Sequence, residues 1–99
     1  MKLQVSSLKF DADEKLLDIV QKKADKLETY FDKIIDGEVN MKLDKSDDKS
    51  NKVVEMKLNV PGSTFFAKEQ SHSFEAATDE AVEALRRQLR KHKGKLTEK

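Results

Sequence analysis

The stretch RRQLRKHKGKL, residues 86–96, concentrates the chemistry of this chain. Seven of the twenty basic residues fall between Arg86 and Lys99, against one of the nineteen acids, so this end carries +6 and residues 1–85 carry −5. A formal net charge of +1 therefore hides a polarised molecule. Cations at this density can bind an anion. A charge run is more often a solvated face, but here the compensation is missing. Between Val82 and Lys93 the one acid is Glu83, so pairing along a helix neutralises little. The dipole of a helix end accounts for a cation or two, not for a whole row.

Residues suited to covalent or acid–base work are sparse. There is no cysteine, hence no thiol chemistry, disulfide or thiolate metal site. His72 and His92 fall near opposite ends of one predicted helix, and His92 is in phase with the apolar residues, as a packed side chain would be. The chain has no Gly-rich phosphate loop, no nucleophile signature and no H-x-x-x-H pair. Asp44, Asp47 and Asp48 could gather round a cation, but Lys45 and Lys49 oppose it and EF-hand spacing is absent. These features argue against an enzyme, and imply no cofactor, no metal and no small-molecule substrate. MKLQVSSLKF lacks the apolar region of a signal peptide, and no apolar run reaches the length of a membrane span. A cytoplasmic protein with no membrane partner is expected.

The elements that must position the basic residues follow from periodicity. Ninety-nine residues make one domain, 1–99. Leu3 and Val5 alternate with polar neighbours, and Leu8 and Phe10 continue after a possible shift at Ser6-Ser7, which predicts a strand over 2–9. Asp11 and Glu14 resemble a capping box, so a helix should start near Ala12. Its apolar positions Leu16, Val20, Ala24, Leu27, Phe31 and Ile34 keep helical spacing, and Gly37 offers a stop. Val39, Met41 and Leu43 predict a second strand, and Val54, Met56, Leu58 and Val60 a third. Between them, 44–52 reads as a loop. Pro61-Gly62 is a turn, 64–70 a fourth strand, and Ser73 can cap a last helix. That helix would turn Phe74, Ala77 or Thr78, Ala81, Val82, Leu85, Leu89, His92 and Leu96 inward, with a basic tail at about 93–99. The fold class is α+β: a β-α-β-β-β-α two-layer sandwich with two helices packed on one face of a four-stranded sheet.

On a helical wheel with Leu85 inward, Arg86, Arg87, Arg90, Lys91, Lys93 and Lys95 cover the flank and back of the last helix. Lys15, Lys22, Lys26 and Lys33 form a weaker stripe on the first helix, beside Asp18, Asp25 and Asp32. Lys15/Asp18 and Lys22/Asp25 could be surface ion pairs at i,i+3, worth little. If the two helices lie side by side, two rows of cations match two phosphate tracks across a groove. The aromatic residues are few and mostly in core phase, with Tyr30 and one of Phe65/Phe66 partly exposed, so backbone and shape reading is favoured over base stacking.

KLETYFDKI (26–34) and AATDEAVEALRRQLRKHKGKL (76–96) resemble the ribosome hibernation promoting factor family, which includes the ribosome-associated inhibitor. The resemblance covers the whole chain, and the QLRKHKGKL ending is its most specific part. It implies a fold similar to a double-stranded-RNA-binding domain. It implies binding to ribosomal RNA of the small ribosomal subunit in the decoding channel, which blocks messenger and transfer RNA and inhibits translation in stationary phase or starvation. Carried over by position, the rRNA-binding residues are Lys22, Lys26, Arg86, Arg87, Arg90, Lys91, Lys93 and Lys95. Where the family often has Asp-(Met/Leu)-Tyr-Ala-Ala-Ile-Asp, this chain has Ser73-Phe74-Glu75-Ala76-Ala77-Thr78-Asp79, which removes or shifts the aromatic. The chain also ends at Lys99, without the linker and dimerisation domain of the long members, so ribosome pairing would need another factor or direct subunit contacts. Two alternatives stand beside this reading: a general double-stranded-RNA-binding domain, and a protein-interaction module docking an acidic partner.

Overall fold

The computed structural model describes residues 1–8, 10, 12–44 and 50–97, with 95–97 described by backbone alone. Four strands, β1 (Leu3–Leu8), β2 (Asp36–Leu43), β3 (Lys52–Val60) and β4 (Ser63–Ser71), form one sheet in the order β1-β2-β3-β4. β1 runs parallel to β2, with Val5 opposite Val39, and the other neighbours are antiparallel. Helices α1 (Glu14–Asp25) and α2 (Phe74–Thr97) both pack on one face. The predicted α+β sandwich and its element order are what the chain adopts.

Alternation builds the sheet. Val39 and Met41 of β2, and Val54, Met56, Leu58 and Val60 of β3, turn inward, where Val20, Ala24 and Leu27 meet them from the first helical segment. Ala77, Ala81, Leu85 and Leu89 of α2 close the core. The two alanines let α2 approach closely, while the buried hydroxyl of Thr78 donates to the Phe74 carbonyl at 2.6 Å and is left with no unmet donor. Pro61-Gly62 joins β3 to β4 in a two-residue turn in which Gly62 takes φ +78°, a region open to glycine and costly for other residues.

The N-terminal third departs from expectation in three places. Helix α1 starts at Glu14 rather than near Ala12, and its cap is Asp13, whose carboxylate accepts from the Leu16 amide at 2.8 Å; Asp11 lies outside the described residues. The helix also stops at Asp25 instead of running to Ile34, and passes into a 3-10 turn over Lys26–Thr29. There the Tyr30 and Phe31 amides both donate to the Leu27 carbonyl, and the Thr29 hydroxyl takes the Lys26 carbonyl at 2.6 Å. Leu27 and Phe31 keep helical spacing because both still bury against the same core. Gly37 is consequently no helix stop; it sits buried within β2 opposite Leu3. Finally, β1 runs without a shift at Ser6-Ser7, so Ser7 turns toward the helices and Leu8 stands 58% exposed on the open face.

Beyond β4, Ser73 caps α2 as expected, accepting from the Ala76 amide at 3.0 Å. The helix continues through Thr97, so 93–97 extend it. Of the 44–52 loop, 45–49 lie outside the described residues.

Candidate nucleic-acid interface

The two helical segments lie side by side and run in the same sense. Lys23 of α1 meets Asp79 of α2 at 2.6 Å, and seven residues further along both segments Tyr30 meets Arg86. The Arg86 guanidinium lies 5.3 Å from the centre of the Tyr30 ring, and its Nε donates to Glu83 at 2.8 Å. Glu83 first, and Tyr30 less strongly, raise the pKa of this guanidinium above its already high ordinary value. Lys93 reaches the Tyr30 carbonyl at 3.4 Å. Thr29, Tyr30, Arg86, Arg90 and Lys93 together line an open pocket of about 290 Å3 along the seam between the helical segments.

The basic residues of α2 therefore divide between two flanks. Arg86, Arg90 and Lys93 line the seam, as the wheel indicated for one side of the helix. Arg87 and Lys91 stand on the side toward β4. Arg87 rims a shallow depression with Glu69, Asp79, Glu80 and Glu83, whereas Lys91 lines a second pocket with Ser63, Phe65, Gln88 and His92. Among the described residues no carboxylate forms an ion pair with Arg87, Arg90 or Lys91. The side chain of Lys95 lies outside the described residues.

On α1 the pairing differs from the expected one. Lys22 meets Asp18 at 3.1 Å, one turn back, rather than Asp25. Both partners are well exposed, and such a pair contributes little. Asp25 is occupied elsewhere: it accepts from the Met1 ammonium at 3.0 Å and from the Gln21 side-chain amide at 2.9 Å. Glu28 also accepts from Met1. This clamp fixes the 3-10 turn that carries Lys26 and leads into Tyr30. Lys26 itself is exposed.

Spacing alone missed two participants. Tyr30 is 45% exposed and lines the seam, a place that partial exposure of an aromatic does not by itself indicate. Lys23 escaped notice because its partner is distant in sequence. His92 is packed, as its phase suggested: its ring meets Phe31 and Phe65 edge-on at 5.6 and 5.2 Å. The described residues contain no group of three His, Asp or Glu side chains that could hold a metal ion, and no helix long and apolar enough to cross a membrane.

Residues 3–97 match the family described as Sigma 54 modulation protein / S30EA ribosomal protein. The chain belongs to this family. Its members include the ribosome hibernation promoting factors that the sequence resembles. That of Pseudomonas putida is 35% identical over 95 residues, covering 96% of this chain and 89% of the relative. That of Escherichia coli K12 is 34% identical over 96 residues, covering 97% of each. Among solved structures, a ribosomal subunit interface protein from Coxiella burnetii superposes with a TM-score of 0.83 at 24% identity, over 95% of this chain and 99% of that one. The family fold thus accounts for the whole described sandwich, both helices of the seam included.

Proposed function

We propose that this protein is a ribosome hibernation factor. It binds ribosomal RNA of the small subunit at the decoding channel and excludes messenger and transfer RNA, so that translation is inhibited in stationary phase or starvation. The observation that carries the reading is the exposed basic surface of α2, where no carboxylate among the described residues forms an ion pair with Arg87, Arg90 or Lys91, while the opposite side of the same helix closes the core. A row of cations held on so rigid a support suits a fixed polyanion better than a mobile one. The names of the Pseudomonas and Escherichia relatives, ribosome hibernation promoting factor, direct the proposal to the ribosome.

Lys22, Lys26, Arg86, Arg87, Arg90, Lys91, Lys93 and Lys95 are assigned as the rRNA-binding residues. Long-range attraction steers the protein in, and Lys and Arg displace condensed counterions from phosphates. These contacts fix orientation rather than read sequence. Inhibition then follows from occupancy, and needs no reacting group and no cofactor. The acidic remainder of the chain opposes indiscriminate adhesion to RNA. A ribosome-bound protein of this kind works in the cytoplasm.

Co-sedimentation with purified small subunits, at low and moderate salt, tests the proposal. Near-stoichiometric binding that messenger plus initiator transfer RNA displaces is the expected result. Binding indifferent to those ligands, or equal to binding of a random RNA duplex, overturns it.

A further inference from the structure

The pocket on the β4 side of α2 has a chemistry distinct from that of the seam. Ser63, Phe65, Gln88, Lys91 and His92 line an open pocket of about 260 Å3. Ligand pockets for small organic molecules begin at about 300 Å3, so this space is of a size to take one ring system. Two aromatic groups form its walls. The Phe65 and His92 rings lie 5.2 Å apart at 69°, and His92 is locked from behind by Phe31 at 5.6 Å and 68°. Such a wall is already in place before anything binds, and little entropy is lost in ordering it. The polar groups are fixed too. The Gln88 amide nitrogen donates to the Phe66 carbonyl at 3.0 Å, which holds the amide against β4 and leaves its carbonyl oxygen as an acceptor. Ser63 adds a hydroxyl, and Lys91 brings an exposed cation to the rim with no carboxylate paired to it among the described residues.

An aromatic wall, a fixed amide and a cation at the edge are what an unstacked nucleotide requires: a π surface for the base, a partner for its edge and a charge for its phosphate. We infer that this pocket holds a single unpaired nucleotide of the bound RNA, its base against Phe65 and His92 and its phosphate on Lys91. The inference rests on the RNA-binding reading above and adds to it a point of base contact in an interface otherwise built on phosphates. Arg90 immediately precedes Lys91 and is likewise exposed, so a phosphate strand that reaches Lys91 can pass over a second cation on its way to the seam. The seam could not serve in the same way, because the Arg86 guanidinium already lies over the Tyr30 ring.

Titration of the whole chain with each of the four ribonucleoside 5′-monophosphates, followed by NMR, tests the pocket, with ribose 5-phosphate and inorganic phosphate as controls. The His92 ring, Phe65 ring and Gln88 side-chain signals should shift with at least one nucleotide. That nucleotide should bind about tenfold more tightly than ribose 5-phosphate, as the stacking of one base requires. Phe65→Leu, which keeps apolar bulk and removes the ring, should abolish that preference, and Gln88→Leu should weaken binding of the same nucleotide. Because Phe65 also packs on the core, each variant is first compared with wild type by thermal unfolding, and Gln88→Leu carries the test if Phe65→Leu unfolds. Equal binding of nucleotide and ribose 5-phosphate, shifts confined to Arg86 and Arg90, or no shift up to the solubility of the nucleotides overturns the inference. Co-sedimentation reads the parent proposal separately: failure of wild type to bind small subunits sinks that reading whatever the nucleotides do. Unaltered subunit affinity of a folded Gln88→Leu protein removes the pocket alone.

Discussion

The Arg86 guanidinium rests over the Tyr30 ring and is held from its other edge by Glu83, so a single cation ties α2 to the segment that follows α1. A cation over a ring face is attracted by the ring's quadrupole, and solvent screening keeps the contribution small at such an exposed site. A double-mutant cycle combining Tyr30→Leu with Arg86→Leu should return a small, favourable coupling in urea unfolding. A coupling of zero would mean that the two groups are neighbours without interaction.

Charge reversal discriminates the two-row arrangement from a single basic helix. Lys22→Glu with Lys26→Glu, and separately Arg86→Glu with Arg90→Glu, should each weaken small-subunit binding strongly. Dependence on the second pair alone would indicate an acidic peptide partner. Neutralising one phosphate-binding residue, as in Arg90→Ala, should lower the slope of log affinity against log salt by about 0.7–0.9. The slopes are read from sedimentation across a salt series.

Two glycines should respond to alanine with opposite sign. A Cβ at Gly37 would lie 3.0 Å from a methyl of Leu3, 3.2 Å from one of Leu58 and 3.3 Å from the Lys57 carbonyl. Two of these neighbours are side chains, but the third is backbone of the adjacent strand and yields little. Gly37→Ala should destabilise by about 1–3 kcal/mol. Gly94 has nothing within 4 Å of that position, so Gly94→Ala should stabilise the end of α2 by about 0.5–1 kcal/mol. Paired denaturant curves measure both.

The Met1 ammonium gives the fold a pH dependence. Its hydrogen bond to Glu28, and then that to Asp25, raise its pKa above the ordinary 8.0. A raised folded-state pKa means that the clamp's contribution is complete below pH 8.0 and fades as pH rises through the folded value. Nα-acetylated protein should melt below the free-amine form at pH 7, and the two melting temperatures should converge in alkali. A constant difference would show that the charge is not what the clamp supplies.

The legible parts of this molecule are those whose burial is set by one element at a time. β3 alternates from Val54 to Val60, and α2 carries a single inward stripe from Ala77 to Leu89, so both were readable from period alone. The end of α1 was not, because Leu27 and Phe31 face the core equally well from a helix and from the turn that replaces it. Its termination depends on Thr29 taking the Lys26 carbonyl and on the Met1 clamp, the second of these a contact across 24 and 27 residues. Leu8 misled in another way: an apolar residue at an exposed position is common, and no local signal marks it. At the candidate site the cations of α2 were evident from composition. Tyr30 and Lys23 were not, because each takes its meaning from a residue 56 positions later in the chain.

Helix α2 supplies four of the residues that close the core, and it is made after every strand of the sheet it covers. While the chain is being synthesised, β1 to β4 can pair and the first helical segment can dock, yet the core is not closed until Leu85 and Leu89 arrive. The seam does not exist before that moment either, since Tyr30 waits for Arg86. The order of synthesis therefore leaves the seam between the helical segments as the last part of the fold to be built.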